Sequence, residues 1–253
     1  MTDGPLLFTR FAYPPNELGY CGPDASGELL ERVGAGASGP ELRTLAGAFA
    51  GAWPYLQLIA AAGRLGDPLD PRVVEAYWIG NSLLERVSPA LLAASLTRRF
   101  PQPTLRDRDR LLAPLAVGAR PHHGFHVFAV YPWLGLLRGG LVEQPLHVLD
   151  RCRVRWGRIR SVDGDTVTVR MRPLAWNGHR LSLGPHQLEQ ARISRGGHSL
   201  SGRLRPGDWC ALHWDWVCLP LTPGQLQALQ HYTATQLAAV NATAFPAPAA
   251  VLA

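Results

Sequence analysis

Two periodicities divide the chain. Through residue 146 the apolar positions recur every three or four residues, the spacing of a helical face; from residue 147 they alternate, the spacing of a strand. The helical part is punctuated by prolines that follow a capping residue and can occupy a first helical turn. Asp70-Pro71 opens a helix with the stripe Val73, Val74, Tyr77, Trp78 and Leu84, and Ser88-Pro89 opens another through about Arg99. Pro40 opens a helix over 40–62 that Pro54 should kink or split. Asp24 is placed to cap a short helix ending near Val33, residues 34–39 read as a flexible joint, and 105–117 is a further helix. The first 23 residues, with Tyr13-Pro14-Pro15-Asn16 and Cys21-Gly22-Pro23, read as an irregular lead-in.

In the second part, Asp163-Gly164-Asp165 joins two β-rich runs, 159–162 and 166–169, and Asn177-Gly178 marks a second hairpin closing onto 179–183. Residues 184–202 read as a polar loop, and a turn at Pro206-Gly207-Asp208 leads into a strand over 209–217. Thr222, with Pro223 behind it, caps a final helix through about Val240, whose Leu226, Leu229, His231-Tyr232 and Leu237 are expected to face the strands. The Pro/Ala-rich tail from Phe245 reads as loose. The expected fold class is therefore α+β: a mainly helical domain over 1–146, then a small β-barrel with a C-terminal helix over 147–253.

Charge sharpens that division. Residues 1–146 hold 13 arginines and 13 acids, residues 147–253 hold 12 arginines and 6 acids, and there is no lysine. The whole net charge of +6 thus lies in the second part, which points to an anionic partner there. The four cysteines, Cys21, Cys152, Cys210 and Cys218, are too few and scattered for a disulfide framework. With no signal peptide and no long apolar run, the expected location is the cytoplasm, with no membrane partner.

Two places carry candidate chemistry. Pro121-His122-His123-Gly124-Phe125-His126 has i, i+4 and i, i+3 histidine spacings, so His122, His123 and His126, with Cys21, form one possible metal site. The alternative reading of these histidines is capping and packing at a tight interface. The second place is Cys152 with the strand that carries His213 and Asp215. Arg151, Arg153 and Arg155 surround the thiol and should lower its pKa. Asp215, two residues from His213 on an expected strand, is placed to orient the imidazole. Cys210 and Cys218 fall on the other face and read as packing residues.

The pattern Cys152-x4-Gly157-x-Ile159-x2-Val162-Asp163-Gly164-x4-Val169, followed by Arg205-Pro206-Gly207-Asp208-Trp209-x3-His213, resembles the HypC/HupF family of nickel–iron hydrogenase maturation chaperones. The resemblance covers roughly residues 150–240. It implies a small barrel that carries an iron bearing cyanide and carbon monoxide, the Fe(CN)2(CO) unit. It also implies partnership with a HypD-like scaffold protein and the hydrogenase large-subunit precursor. The family's metal-binding cysteine falls on Cys152 and its histidine on His213. The sequence departs from the family in placing this cysteine behind a whole domain, in Trp156 before Gly157, and in Trp-Asp-Trp after His213. The expected role is a non-catalytic metallochaperone. Its rivals are a metal-dependent enzyme built on the histidine-rich segment and a basic barrel that binds nucleic acid, the latter disfavoured by the modest charge.

Overall fold

A computed structural model describes residues 3–101 and 105–243. The fold is mixed: helices come first, then strands, then a last helix. The N-terminal helices are α1 (Gly4–Glu17), α2 (Ser26–Gly34), α3 (Pro40–Gly47), α4 (Trp53–Gly63), α5 (Pro71–Trp78), α6 (Pro89–Arg99) and α7 (Leu105–Ala116). The short α8 (His123–Phe125) runs into a π-helical turn, His126–Val130, and is followed by α9 (Trp133–Arg138) and α10 (Glu143–Cys152). The expected 40–62 helix is split into α3 and α4, with Pro54 in the first turn of α4. Asp70 and Ser88 cap α5 and α6 by accepting from the N–H groups of Arg72 and Leu91. Asp24 makes no such cap; α2 begins after Ala25.

The lead-in is where the structure departs most from expectation. Residues 4–17 form a buried helix, capped by Asp3, with Leu7, Phe8, Phe11 and Ala12 inside the core. Pro14 and Pro15 stand in its last turns, where their missing N–H groups leave the carbonyls of Arg10 and Phe11 without helical donors. Apolar burial on both sides outweighs the local preference of the prolines.

The strands are β1 (Arg155–Asp163), β2 (Thr166–Met171), β3 (Leu174–Trp176), β4 (Leu181–Leu183), β5 (Gln187–Arg192), β6 (Ser194–Arg195), β7 (His198–Ser199), β8 (Trp209–His213) and β9 (Trp216–Pro220). Pairing runs β1-β2-β5-β9-β8 and returns to β1, a ring closed by the single parallel pair Arg192↔Trp216. Gly164, at φ +54°, is the first of the two residues turning β1 into β2. Asn177 Oδ1 accepts from the N–H groups of His179 and Arg180 and shapes the β3–β4 turn. The polar stretch 184–202 is not a loop: β5 pairs with β2 along six residues. Leu188, Gln190 and Arg192 face outward, Glu189 turns in to the buried Arg155, and the backbone completes the ladder. The expected strand over 209–217 is a hairpin, β8 and β9 joined by Trp214-Asp215, with Trp214 at φ +51°.

The C-terminal helix α11 (Pro223–Ala242) carries a full capping box of Thr222 and Gln225. Its position differs from expectation, since it packs mainly on α7, α8 and the π-helical turn. Tyr232 donates to the Asn81 carbonyl and Gln225 to Glu75. The tail from Phe245 lies outside the described residues. One apolar core joins α1, α4, α5, α8, α10, β8, β9 and α11, and a smaller one, with Ile159, Val169 and Leu212, fills the ring of strands. The boundary expected at 146/147 therefore falls inside α10, and the larger core spans it.

Ion pairs tie the end of α10 to the ring. Arg155 is fully buried and donates to both oxygens of Glu189 and to the Trp214 carbonyl. Arg151 bridges Glu189 and Asp215, and Arg153 pairs with Asp150, which also accepts from the Leu174 N–H. Removing one member of a buried pair leaves its partner uncompensated. Glu189→Ala should therefore lower unfolding stability by about 3–5 kcal/mol in urea titrations; a loss near that of an exposed pair would mean that Arg155 finds another counter-charge.

Candidate metal centre

Three ligand-type side chains meet where the helices adjoin the strands. One ligand atom each from His123, Cys152 and His213 lies within 4.8 Å of the other two, and all three residues are buried. His123 opens α8, Cys152 ends α10, and His213 ends β8. Cys152 is thus a helix-terminal residue, not a strand residue. Two of the three, Cys152 and His213, are the residues that the resemblance to the HypC/HupF family pairs. His123 was legible only as a member of the histidine-rich segment.

The backbone prepares His213 for this role. Its Nδ1 lies 2.6 Å from the Phe11 carbonyl, which can only accept, so Nδ1 carries the proton. The lone pair then sits on Nε2, which is buried with no hydrogen-bond partner. A histidine ligand held by a backbone carbonyl through its other nitrogen is the usual arrangement in metal sites. The Phe11 carbonyl is available for a reason written in the sequence. Its helical partner would be the N–H of residue 15, and residue 15 is proline. His123 uses Nε2 toward the Cys152 carbonyl at 2.7 Å and Nδ1 toward the Tyr77 hydroxyl at 3.2 Å. A metal ion would replace one of these contacts.

The cluster opens on a cavity of about 160 Å³ that is mostly apolar and includes Phe49, Trp78, Tyr131, Trp133 and Trp214 in its wall. Trp214 stacks on the half-exposed Tyr20 at 4.4 Å between ring centres, closing one side. Burial in this wall keeps the cluster neutral. The His213 pKa is pushed down to about 4, chiefly by burial, with the Phe11 carbonyl opposing. That of His123 is held well below the usual histidine range by burial and by its neighbour His213. The Cys152 thiol is pushed up by burial and by nearby Cys21, so the expected lowering by flanking arginines does not occur. Those arginines are turned away and paired with Asp150, Glu189 and Asp215. A thiolate at Cys152 therefore calls for a cation placed against it, which a bound metal supplies.

The other expected site residues are placed differently. Asp215 sits in the β8–β9 turn, accepts from Arg151 and makes no bond to His213, because the chain reverses before it reaches the shared face. His122, His123, His126 and Cys21 do not gather. His122 accepts the Gly124 N–H and lies parallel to the Tyr232 ring. His126 packs on Tyr55 and Tyr131, and Cys21 lines the cavity with its thiol pushed up to about 12 by burial. Among the described residues, the only such cluster of three joins one of these histidines to Cys152 and His213. Cys210 is buried within the ring of strands and Cys218 in the larger core, as packing residues.

Two outcomes follow from this geometry. Pro15→Ala restores an N–H that competes for the Phe11 carbonyl. Cobalt(II) affinity, read from the thiolate-to-metal absorption band, should fall about 10–100-fold, the usual cost of losing a partner that orients a ligand. An unchanged affinity would show that the Phe11 contact does not prepare His213. Buried neutral histidines bind fewer protons in the folded than in the unfolded chain, so stability falls as pH drops below their unfolded value near 6.5. His122 and His213 are shifted down to about 4 and His126 to about 3, which sets the window at roughly pH 6.5 to 3. The urea midpoint should fall steeply as pH is lowered through it; a flat profile would mean that these rings are not held neutral.

Among the comparisons with known proteins, no curated protein and no solved structure matches the chain. One family matches residues 1–247, covering the helices, the strands and all three members of the cluster in a single span. The chain belongs to that family, which is described as a family of unknown function, DUF6390.

Proposed function

We propose that this protein is a nickel–iron hydrogenase maturation factor that binds or transfers the iron–cyanide–carbonyl unit through Cys152, His213 and His123. The observation that carries the reading is the buried cluster of those three side chains against an apolar cavity. Cys152 and His213 are the two positions on which the resemblance to the HypC/HupF family places the metal ligands, and they lie 61 positions apart in sequence. We read the five-strand ring as the small barrel that the resemblance implies.

The chemistry of the cluster suits such cargo. A thiolate with imidazoles is a good donor set for iron, and carbon monoxide and cyanide are compact ligands that tolerate an apolar wall. The two cyanides cancel the charge of iron(II), so the unit itself is neutral, and only the Cys152 thiolate charge remains to be buried. A bare dication carries its charge into the same wall. The protein's part is to present neutral imidazoles, release one proton from Cys152 on loading, and exclude water. The helical part contributes His123 and closes over the site, so a HypD-like scaffold or the hydrogenase large-subunit precursor would meet the Tyr20–Trp214 side of the cavity during transfer.

Protein purified without oxygen from a host that makes hydrogenase should contain iron and show cyanide and carbonyl infrared bands. Cys152→Ala should abolish both. His123→Ala should leave bands at shifted frequencies with a reduced iron content, because two ligands remain. Full iron and unshifted bands in Cys152→Ala would overturn the reading. So would clean protein without bands where a known carrier from the same host shows them.

A further inference from the structure

A second concave surface lies on the outside of the ring, away from the metal cluster. It has a volume of about 650 Å³ and is bounded by β1, β2 and β8, the β3–β4 hairpin and α11. Its floor is the half-buried pair Trp156 and Trp209, its apolar walls include Leu183 and Leu237, and its rim carries Arg170 and Arg172. No acidic residue lines it.

The charge arrangement is costly for the isolated chain. Arg158 stands directly opposite Arg170 on adjacent strands, both pointing outward. Like charges placed so destabilise a sheet. None of Arg158, Arg160, Arg170 and Arg172 takes part in an ion pair among the described residues. Beyond Arg170 in the same cross-strand row is Leu188, which is 64% exposed. Asp150 and Glu189 are taken up by Arg151, Arg153 and Arg155.

The geometry points to a docking site for an acidic peptide segment of a partner protein, its carboxylates on Arg170 and Arg158 and an apolar side chain against Trp156 and Trp209. Guanidinium groups match carboxylates in a two-pronged geometry, and the tryptophans offer the apolar anchor typical of interface centres. Charge complementarity chooses the occupant. A peptide fits better than a nucleic acid strand, because the tryptophans are half-buried, one side of the Trp156 ring faces Arg153, and the apolar walls leave little room for stacked bases.

The test is fluorescence anisotropy with fluorescein-labelled Glu-Glu-Leu-Phe-Glu-Glu and the full-length protein. Its lysine counterpart and a labelled ten-residue oligothymidylate are the comparison probes. The acidic peptide should bind saturably, weaken with salt, and lose at least about tenfold in affinity with Arg170→Glu. Ala234→Trp, at an exposed position of α11 on the groove wall, should block binding without touching a charge. Undiminished peptide binding by both variants would overturn the proposal, as would no binding up to millimolar peptide. Tighter binding of the oligothymidylate would replace it with a nucleic-acid surface.

Discussion

Burial of the Arg155 guanidinium beside Glu189 is the constraint on which the centre of this molecule depends. A charge taken out of water must be matched, and Glu189 matches it while also receiving Arg151 from the end of α10. The same guanidinium donates to the Trp214 carbonyl, so it grips the β8–β9 turn one residue after His213. Asp215, in that turn, returns to Arg151. Helix end, strand and hairpin tip are thereby held in one electrostatic knot, and Cys152 and His213 are the residues adjacent to its strands of connection.

With the arginines committed to that knot, the cluster of His123, Cys152 and His213 is left to burial, its three members carrying no charge in their neutral forms. Its wall is mostly apolar and burial favours neutral imidazoles and a protonated thiol, so a hydrated ion must shed water and displace the thiol proton to bind. Desolvation that disfavours charge in the empty cluster becomes selective once a ligand brings its own compensation. The outward face of the ring shows the reverse arrangement. There Arg158, Arg160, Arg170 and Arg172 are exposed and form no ion pair among the described residues, Arg158 and Arg172 donating only to backbone carbonyls, and the charge excess seen in the second part of the chain is expressed on the surface.

Much of the fold was readable because its signals are local. Asp70-Pro71, Ser88-Pro89 and Thr222-Pro223 each announce a helix start through a capping oxygen and a fixed φ, and all three open helices. Gly164 and Asn177-Gly178 announce turns through backbone conformations that few other residues adopt. The first helix was hidden because Pro14 and Pro15 signal a break, while the burial that overrides them comes from residues scattered across α5, β8 and β9. The strand β5 was hidden because its ladder is formed by backbone groups, which its polar side chains do not advertise.

The candidate site divides along the same line. The sequence by itself determined the helical and strand-bearing parts and the capping and turn positions, since composition and short-range spacing carry that information; Cys152 and His213 stood out as a pair worth testing through the resemblance to the HypC/HupF family. Only the tertiary structure decided that His123 joins them, that His122, His126 and Cys21 do not form a centre of their own, and that Asp215 serves an arginine. It also turned Pro15 from an apparent helix breaker into the residue that leaves the Phe11 carbonyl free for His213. The physical reason is that ligand geometry, desolvation and ion pairing depend on distances between residues far apart in the chain, and those distances exist only once the core has packed.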